Sequence, residues 1–582
     1  MKAFIALFCF LMLIGCGGGG SSTPPPPPLT VSPTSANVAL NGTQSFTAST
    51  AASWSVNGIP GGNATVGTID ANGLYKAPAN FPSPHTATVS ATAGGQSATA
   101  AVTIVYPNDN SKSQALPVKM GTSGGNSTDI SGNKCCSGTL GALVVRGGIF
   151  YIVSANHVLA KSDAGTTGDP VTQPGLIDNN CAAGTLVANL SQKAALKPVS
   201  SPGPAPSNVD AAIAQIVPGT VDTSGAILDL GAAGPGAIAA APPSATLASP
   251  AAVFAANEGV AKSGRSTGLT CSNLQSITTN IVVDYAQICG GATSFTATFS
   301  NQIVINGGTF TQSGDSGSLL VTSDTARPLG LIYGGNATTS TANPIQDIIT
   351  AFTNGSGSPT VVGGADHAVS CQPTATVTGA QASNGAASAT LTVEQQQRAA
   401  EINDRYAASL LRDPAVTAVE IGASADNPKE AALLVTLHGG TVSPIPHQIE
   451  GLRTRLIRSD QIEPTMPVLP MADIHSALAV KESSVSAWMS QPGVIGFGVG
   501  RSHDNPAETA IAIYVEQSKF AGQIPPEIGG VRTQVFEGER FRAGGWNTTA
   551  STACIKPRAS APVVAPKAAT CLQPAGSLKT VR

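Results

Sequence analysis

Charge is scarce in this chain of 582 residues: Asp, Glu, Lys and Arg make up 11% of it, and aromatic residues only 4%. The formal net charge is −3 and no long Lys/Arg run occurs, so the electrostatic footprint of a nucleic-acid binder is missing. There is no Cys-x-x-Cys pair, and the seven His are scattered without ligand spacing, which argues against a metal centre. No cofactor motif stands out. Gly, Ala, Ser and Thr are abundant instead. That composition suits short strands joined by many turns, as in exported all-β proteins, better than long charged helices. The length implies about three or four domains.

At the N-terminus, Lys2 precedes an almost unbroken apolar stretch over residues 3–14, too short to span a bilayer as a permanent helix. Leu13-Ile14-Gly15-Cys16 resembles the lipobox of bacterial lipoproteins. The resemblance implies a signal peptide over 1–16, with Cys16 becoming the lipidated first residue and anchoring the protein to a membrane. The alternative is an ordinary signal peptide that happens to contain a cysteine. Residues 17–28 (GGGGSSTPPPPP) form a tether, flexible in its Gly/Ser part and extended in its Pro run. The absence of Asp after Cys16 fits outer-membrane sorting, by resemblance to known lipoproteins, and so a place in the bacterial cell envelope.

Of the ten cysteines, Cys9 leaves with the signal and Cys16 carries lipid. The others are Cys135, Cys136, Cys181, Cys271, Cys289, Cys371, Cys554 and Cys571, an even number that reads as disulfides in an oxidising compartment. The preferred pair is Cys271 with Cys289, which a single hairpin could join. Cys181 with Cys135 or Cys136 comes next.

Three blocks follow the tether. Over 29–106, Val31, Val38, Phe46, Trp54, Val56, Tyr75, Val89 and Val102 punctuate short alternating runs, which argues for a small sandwich. Trp54-Ser55-Val56-Asn57-Gly58 and the segment 67–78 (GTIDANGLYKAP) resemble a bacterial Ig-like domain of group 2. The block 116–369 carries many short strands and Gly/Pro-rich loops, which suits two packed six-stranded barrels. The third block places charge and apolar residues at helical spacing over 394–412 and 473–489. It also repeats itself: Pro414-Ala415-Val416 and Asp426-Asn427-Pro428 return as Pro492-Gly493-Val494 and Asp504-Asn505-Pro506, 78 residues later. Two α/β modules, 391–467 and 468–545, are therefore expected to pack as a pseudo-symmetric pair. Residues 546–582 read as a flexible tail, except where Cys554 and Cys571 pin it. The fold class expected is multidomain and mainly β: a sandwich, a chymotrypsin-like double barrel and the two modules.

Chemistry concentrates in Gln312-Ser313-Gly314-Asp315-Ser316-Gly317-Ser318. A hydroxyl is a poor nucleophile unless a base takes its proton, and the resulting oxyanion needs fixed donors. Glycines on both sides of Ser316 let the backbone turn so that the amides of Gly314 and Ser316 point into one hole. Ser318 stands where the elbow of α/β-hydrolases requires Gly, so that fold is set aside. His157 ends a hairpin in Ser154-Ala155-Asn156-His157-Val158, and Asp210 begins an apolar run in Asn208-Val209-Asp210-Ala211-Ala212. The order His, Asp, Ser is that of the chymotrypsin clan.

Gly138-Thr139-Leu140-Gly141, Asn156-His157-Val158-Leu159-Ala160, Gln173-Pro174-Gly175-Leu176, Asp210-Ala211-Ala212-Ile213-Ala214, Gly264-Arg265-Ser266-Thr267-Gly268 and Gly314-Asp315-Ser316-Gly317-Ser318-Leu319 together resemble the trypsin-like peptidases related to the plant narrow-leaf protein. The resemblance implies a serine endopeptidase acting on protein or peptide through His157, Asp210 and Ser316, with Gly314 and Ser316 as oxyanion donors. Phe310 stands where trypsins place an acidic pocket base, which implies apolar or small residues on the acyl side of the cut. No Cys follows His157, Ser318 replaces a second Gly, and an Ile-Val-Gly-Gly activation site is missing, so the barrel is expected to be active as made. The competing expectation is a catalytically silent peptidase fold used as a surface binding or adhesion protein.

Overall fold

Alternating apolar residues broken by Gly, Pro and Asn build strands rather than helices along most of the chain. The computed structural model describes residues 27–82, 84–199, 209–234, 237–371, 391–438, 444–458 and 466–544, with the backbone of two short strands, Thr570–Leu572 and Leu578–Thr580. The expected signal peptide, Cys16, most of the tether, Cys554 and most of the tail lie outside the described residues. The chain divides into two compact units, Met1–Pro107 and Asn108–Arg582. Among the described residues no helix is long and apolar enough to cross a membrane.

The first unit is a β-sandwich. One sheet runs in the order Ser35–Ala39, Gln96–Val105, Thr86–Ala93, Ser53–Val56, Ile59–Pro60, and the other comprises Thr43–Ser45, Leu74–Lys76, Gly67–Ile69 and Gly62–Asn63. Period-two alternation points Val89, Ala91, Val102 and Ile104 of the first sheet inward, where they share a core with Phe46, Ile69 and Tyr75.

In the second unit, β1 (Thr122–Asn126), β2 (Gly138–Leu140), β3 (Ala142–Arg146), β4 (Ile149–Ser154), β5 (Pro170–Gln173), β6 (Thr185–Lys193) and β7 (Ala212–Ile216) make one sheet in the order β2-β1-β5-β6-β7-β4-β3. Only Gly141 separates β2 from β3, so the two act as one bent strand and the sheet closes into a six-stranded barrel. A second barrel follows from β8 (Gly259–Gly264), β9 (Gly268–Tyr285), β10 (Phe295–Asn306), β11 (Leu319–Thr322), β12 (Pro328–Gly335) and β13 (Thr339–Pro344). Their order is β8-β11-β12-β13-β10-β9, and β9 pairs back onto β8. The fold is thus mainly β and chymotrypsin-like.

Each repeat contributes a helix and three main strands. The first holds α1 (Val393–Leu410), β14 (Val416–Ala423), β15 (Ala431–Leu437) and β16 (Leu452–Arg458); the second holds α2 (Met471–Met489), β17 (Val494–Arg501), β18 (Thr509–Glu516) and β19 (Val531–Gly538). In both, the first two strands are antiparallel and the third runs parallel to the second. The repeats bond reciprocally. Ser424 Oγ donates to Asp504 at 2.6 Å and Ser502 Oγ to Asp426 at 2.6 Å. Arg453 Nη1 donates to the Thr533 carbonyl, and Arg532 Nη1 to that of Thr454. They differ in their surroundings: β17 pairs with β9 and joins the second barrel's sheet, whereas β14–β16 keep a sheet of their own.

Among the described residues, three disulfides join Cys135 to Cys181, Cys136 to Cys289 and Cys271 to Cys371. The expected Cys271–Cys289 pair is therefore corrected. Cys271 lies near the start of β9, which runs 18 residues without reversing, and Cys289 lies beyond its far end. At about 3.3 Å per residue the two are held tens of ångströms apart along the strand.

Candidate active site

β4 leads directly into the single helical turn Asn156–Leu159, which carries His157. In the antiparallel β4–β7 pair Ser154 faces Ala212, and the same register continued by two residues sets Asn156 opposite Asp210. Backbone pairing thus delivers the carboxylate to the imidazole. His157 Nδ1 lies 2.8 Å from Asp210 Oδ2. The Asn156 amide donates to Oδ1 at 2.7 Å, the His157 amide at 3.3 Å, and the Tyr285 hydroxyl donates to Oδ2 at 2.7 Å. Asp210 is fully buried, where a charge persists only when so surrounded. Burial first, and the Asp210 charge second, hold the Tyr285 hydroxyl well above its ordinary pKa, so it stays a donor at neutral pH. Asn343 fixes the backbone beneath: its Oδ1 accepts from the Asp210 amide and its Nδ2 donates to the Asp210 carbonyl.

Ser316 sits in the connection between β10 and β11. Gly314 and Gly317 adopt φ of +102° and +94°, values that favour glycine. Thr139 of β2 clamps this turn from the other barrel: its amide donates to the Ser316 carbonyl at 2.9 Å and its Oγ1 to that of Gly314 at 2.8 Å. With their carbonyls tied back, the amides of Gly314 and Ser316 donate to no acceptor among the described residues. A Cβ on Gly138 would press on both Val158 and the Ser316 carbonyl, which shows how closely the His157 turn and the Ser316 turn approach.

Asp315 points inward, away from His157. Its carboxylate accepts from the amides of Ser266, Thr267 and Gln312 and from Thr267 Oγ1, and lies 3.4 Å from Lys262 Nζ. Lys262 is fully buried; desolvation lowers its pKa while Asp315 opposes the shift. Arg265, next in the same turn, forms a two-pronged pair with Asp178 at 2.6 and 2.8 Å. The Gly264–Gly268 motif is therefore the seat of the Ser316 turn. Phe310 is buried in an apolar cluster with Val253, Phe254 and Leu320, with Lys262 Nζ 5.9 Å from its ring centre.

Ser316 Oγ and His157 Nε2, the atoms between which a proton would pass, are both buried and have no hydrogen-bond partner among the described residues. Such contacts are often long before substrate arrives.

The second unit has a trypsin-like fold. Among solved structures this fold is similar to the crystal structure of Thermobifida fusca Protease A, with a TM-score of 0.25 and 18% identity over 40% of this chain and 99% of that one. No protein-family profile and no curated protein matches the chain. Around the candidate site, sequence reasoning missed Tyr285, Asn343 and Lys262. Tyr285 ends a strand more than seventy residues after Asp210, and nothing local marks it. Lys262 carried a faint signal, being a cation in the apolar run Val260-Ala261-Lys262 at the second strand position after Val260.

Proposed function

We propose that this protein is a serine endopeptidase of the bacterial cell envelope, anchored by lipid at Cys16 and extended from the membrane by its Gly/Pro tether. The observation that carries the reading is the Asp210–His157 pair at 2.8 Å, facing a turn whose Gly314 and Ser316 amides are unused. His157 takes the proton from Ser316 Oγ as it attacks the substrate carbonyl, then returns it to the leaving amine. Asp210 holds the imidazole tautomer and stabilises the imidazolium. The two amides hold the oxyanion. Water then cleaves the acyl-enzyme by the same proton path in reverse. With Phe310 rather than an acidic residue six positions before Ser316, peptides with apolar or small residues before the cut are the expected substrates. The first unit, an Ig-like module on this reading, serves as spacer or adhesion element.

The buried, unbonded Ser316 Oγ and His157 Nε2 also suit a silent peptidase fold retained for binding. A fluorophosphonate probe separates the two. Labelling of wild-type protein, lost in Ser316→Ala and in His157→Ala, is expected of the enzyme. Folded protein that never labels, even with the cleft cleared as described next, is a scaffold.

A further inference from the structure

After the second repeat the chain does not leave the molecule. Residues Phe541–Ala543 form a strand, β20, that lies against the second barrel beside the catalytic turn. It pairs antiparallel with the end of β12, Ala543 opposite Gly334 and Arg542 opposite Gly335. On its other side it runs parallel to the end of β9, with Phe541 opposite Val283. The edge it occupies belongs to the strand that supports the nucleophile, because Ile332 of β12 exchanges hydrogen bonds with Gly317 and Ser318. Beyond β20 the chain reaches the catalytic residues. Gly544 has φ of +75°, and a Cβ there would come within 3.4 Å of His157 Cδ2 and 3.7 Å of Nε2. Its carbonyl accepts from Ser313 Oγ at 2.7 Å, three residues before the nucleophile.

An extended peptide bound for hydrolysis has to satisfy its backbone on an exposed strand edge while passing between His157 and the nucleophile turn. The Gly334–Gly335 edge offers this, and β20 already uses it. The strand is firmly held at its base. Phe541 is fully buried with its ring 5.7 Å from that of Tyr514, and Arg540 pairs with Asp284 and Glu516. Asn336 Nδ2 donates to the Glu539 carbonyl.

We propose that Arg542–Gly544 is a tethered ligand of the enzyme's own cleft: it occupies the acyl-side substrate positions and keeps the peptidase self-inhibited. The proposal rests on the reading of Ser316 as an activated nucleophile. It also assigns the kind of peptide the cleft takes nearest His157, an extended strand with small residues there, as Ala543 and Gly544 are. A tethered segment sees its site at an effective concentration on the order of 1 mM. A strand that would bind in trans with Kd of about 0.1 mM therefore suppresses the open site roughly tenfold.

The test compares fluorophosphonate labelling rates of the full chain with those of Ala543→Pro and Gly544→Val. The first removes a backbone donor from β20, and the second crowds His157 and cannot adopt the left-handed φ without strain. Labelling faster by about tenfold in both variants, with unchanged circular dichroism, is expected. Folded variants that label no faster than wild type overturn the occupancy while leaving the nucleophile in place. Absence of labelling in wild type and both variants removes the nucleophile and the proposal with it. Should either variant not fold, hydrogen exchange on the wild type decides: peptides spanning 539–544 are expected to exchange over minutes or longer, and exchange complete within seconds overturns the docked strand.

Discussion

Four polar contacts converge on the Asp210 carboxylate, from two backbone amides, a tyrosine hydroxyl and the His157 imidazole. The arrangement fixes an anion beside His157 Nδ1, and it is the anion rather than the shape that matters. Asp210→Asn keeps the volume but presents a donor where the imidazole N–H must be accepted, favouring the wrong tautomer. We expect kcat to fall on the order of 10⁴-fold with little change in KM, measured on any peptide the wild type cleaves. Of the residues in these contacts the sequence displayed only His157 and Asp210. His157, Asp210 and Ser316 stand in short motifs whose residue types state their chemistry. Tyr285 and Asn343 reach Asp210 from strands distant in the chain, and a tyrosine at a strand end or an asparagine in Thr-Ala-Asn-Pro has no local mark of that task.

At the scale of elements, the bond between β2 and the nucleophile turn sets the geometry of the site. The motif Gly138-Thr139-Leu140-Gly141 was visible in the sequence as a likeness; its physical reason is closeness of backbone to backbone. A side chain at Gly141 would overlap the Gly317 carbonyl, so a Gly141→Ala variant has to push the Ser316 turn out of place. A displacement approaching 1 Å there costs on the order of 100-fold in rate. We therefore expect Gly141→Ala to lose activity by about that factor while its thermal unfolding moves by only a few degrees, the two read by peptide hydrolysis and calorimetry. Disulfide pairing was less legible. Cys135–Cys181 was one of two options open from the sequence, but the Cys271–Cys289 pair assumed a hairpin where one unbroken strand runs. Strand length depends on what a strand packs against, here β10, the next strand, on one side and β17, distant in sequence, on the other.

Across the whole molecule, the repeats form a two-part body whose halves meet through Asp426 and Asp504. Their 78-residue periodicity was plain in the sequence; that β17 would extend the barrel sheet was not, because β9 and β17 lie far apart in the chain and neither carries a local mark of its partner. Asp426 is fully buried, and burial first and the Asp504 charge second push its pKa up to about 7. In the unfolded chain an aspartate titrates near 3.9. Between these values the folded state holds a proton that the unfolded state releases, so this group's contribution to stability is fully present below about pH 4 and is lost as pH rises through about 7. Chemical denaturation followed by the fluorescence of Trp488 in α2 is expected to show stability declining from about pH 4 to about pH 7. In Asp426→Asn that decline flattens.

The neighbouring cysteines at 135 and 136 have divergent partners. One closes a loop within the first barrel, to Cys181; the other reaches Cys289 beyond the end of β9, in the second. A chain threaded across a membrane N-terminus first exposes Cys135 and Cys136 together, and the next thiol to emerge, Cys181, can take either one. The choice is an error only when it falls on Cys136, and it cannot be judged until more than a hundred further residues have arrived. On the proposed export route, oxidation would thus pose a sorting problem between two adjacent thiols. Its yield should depend on a disulfide isomerase, not merely on an oxidant.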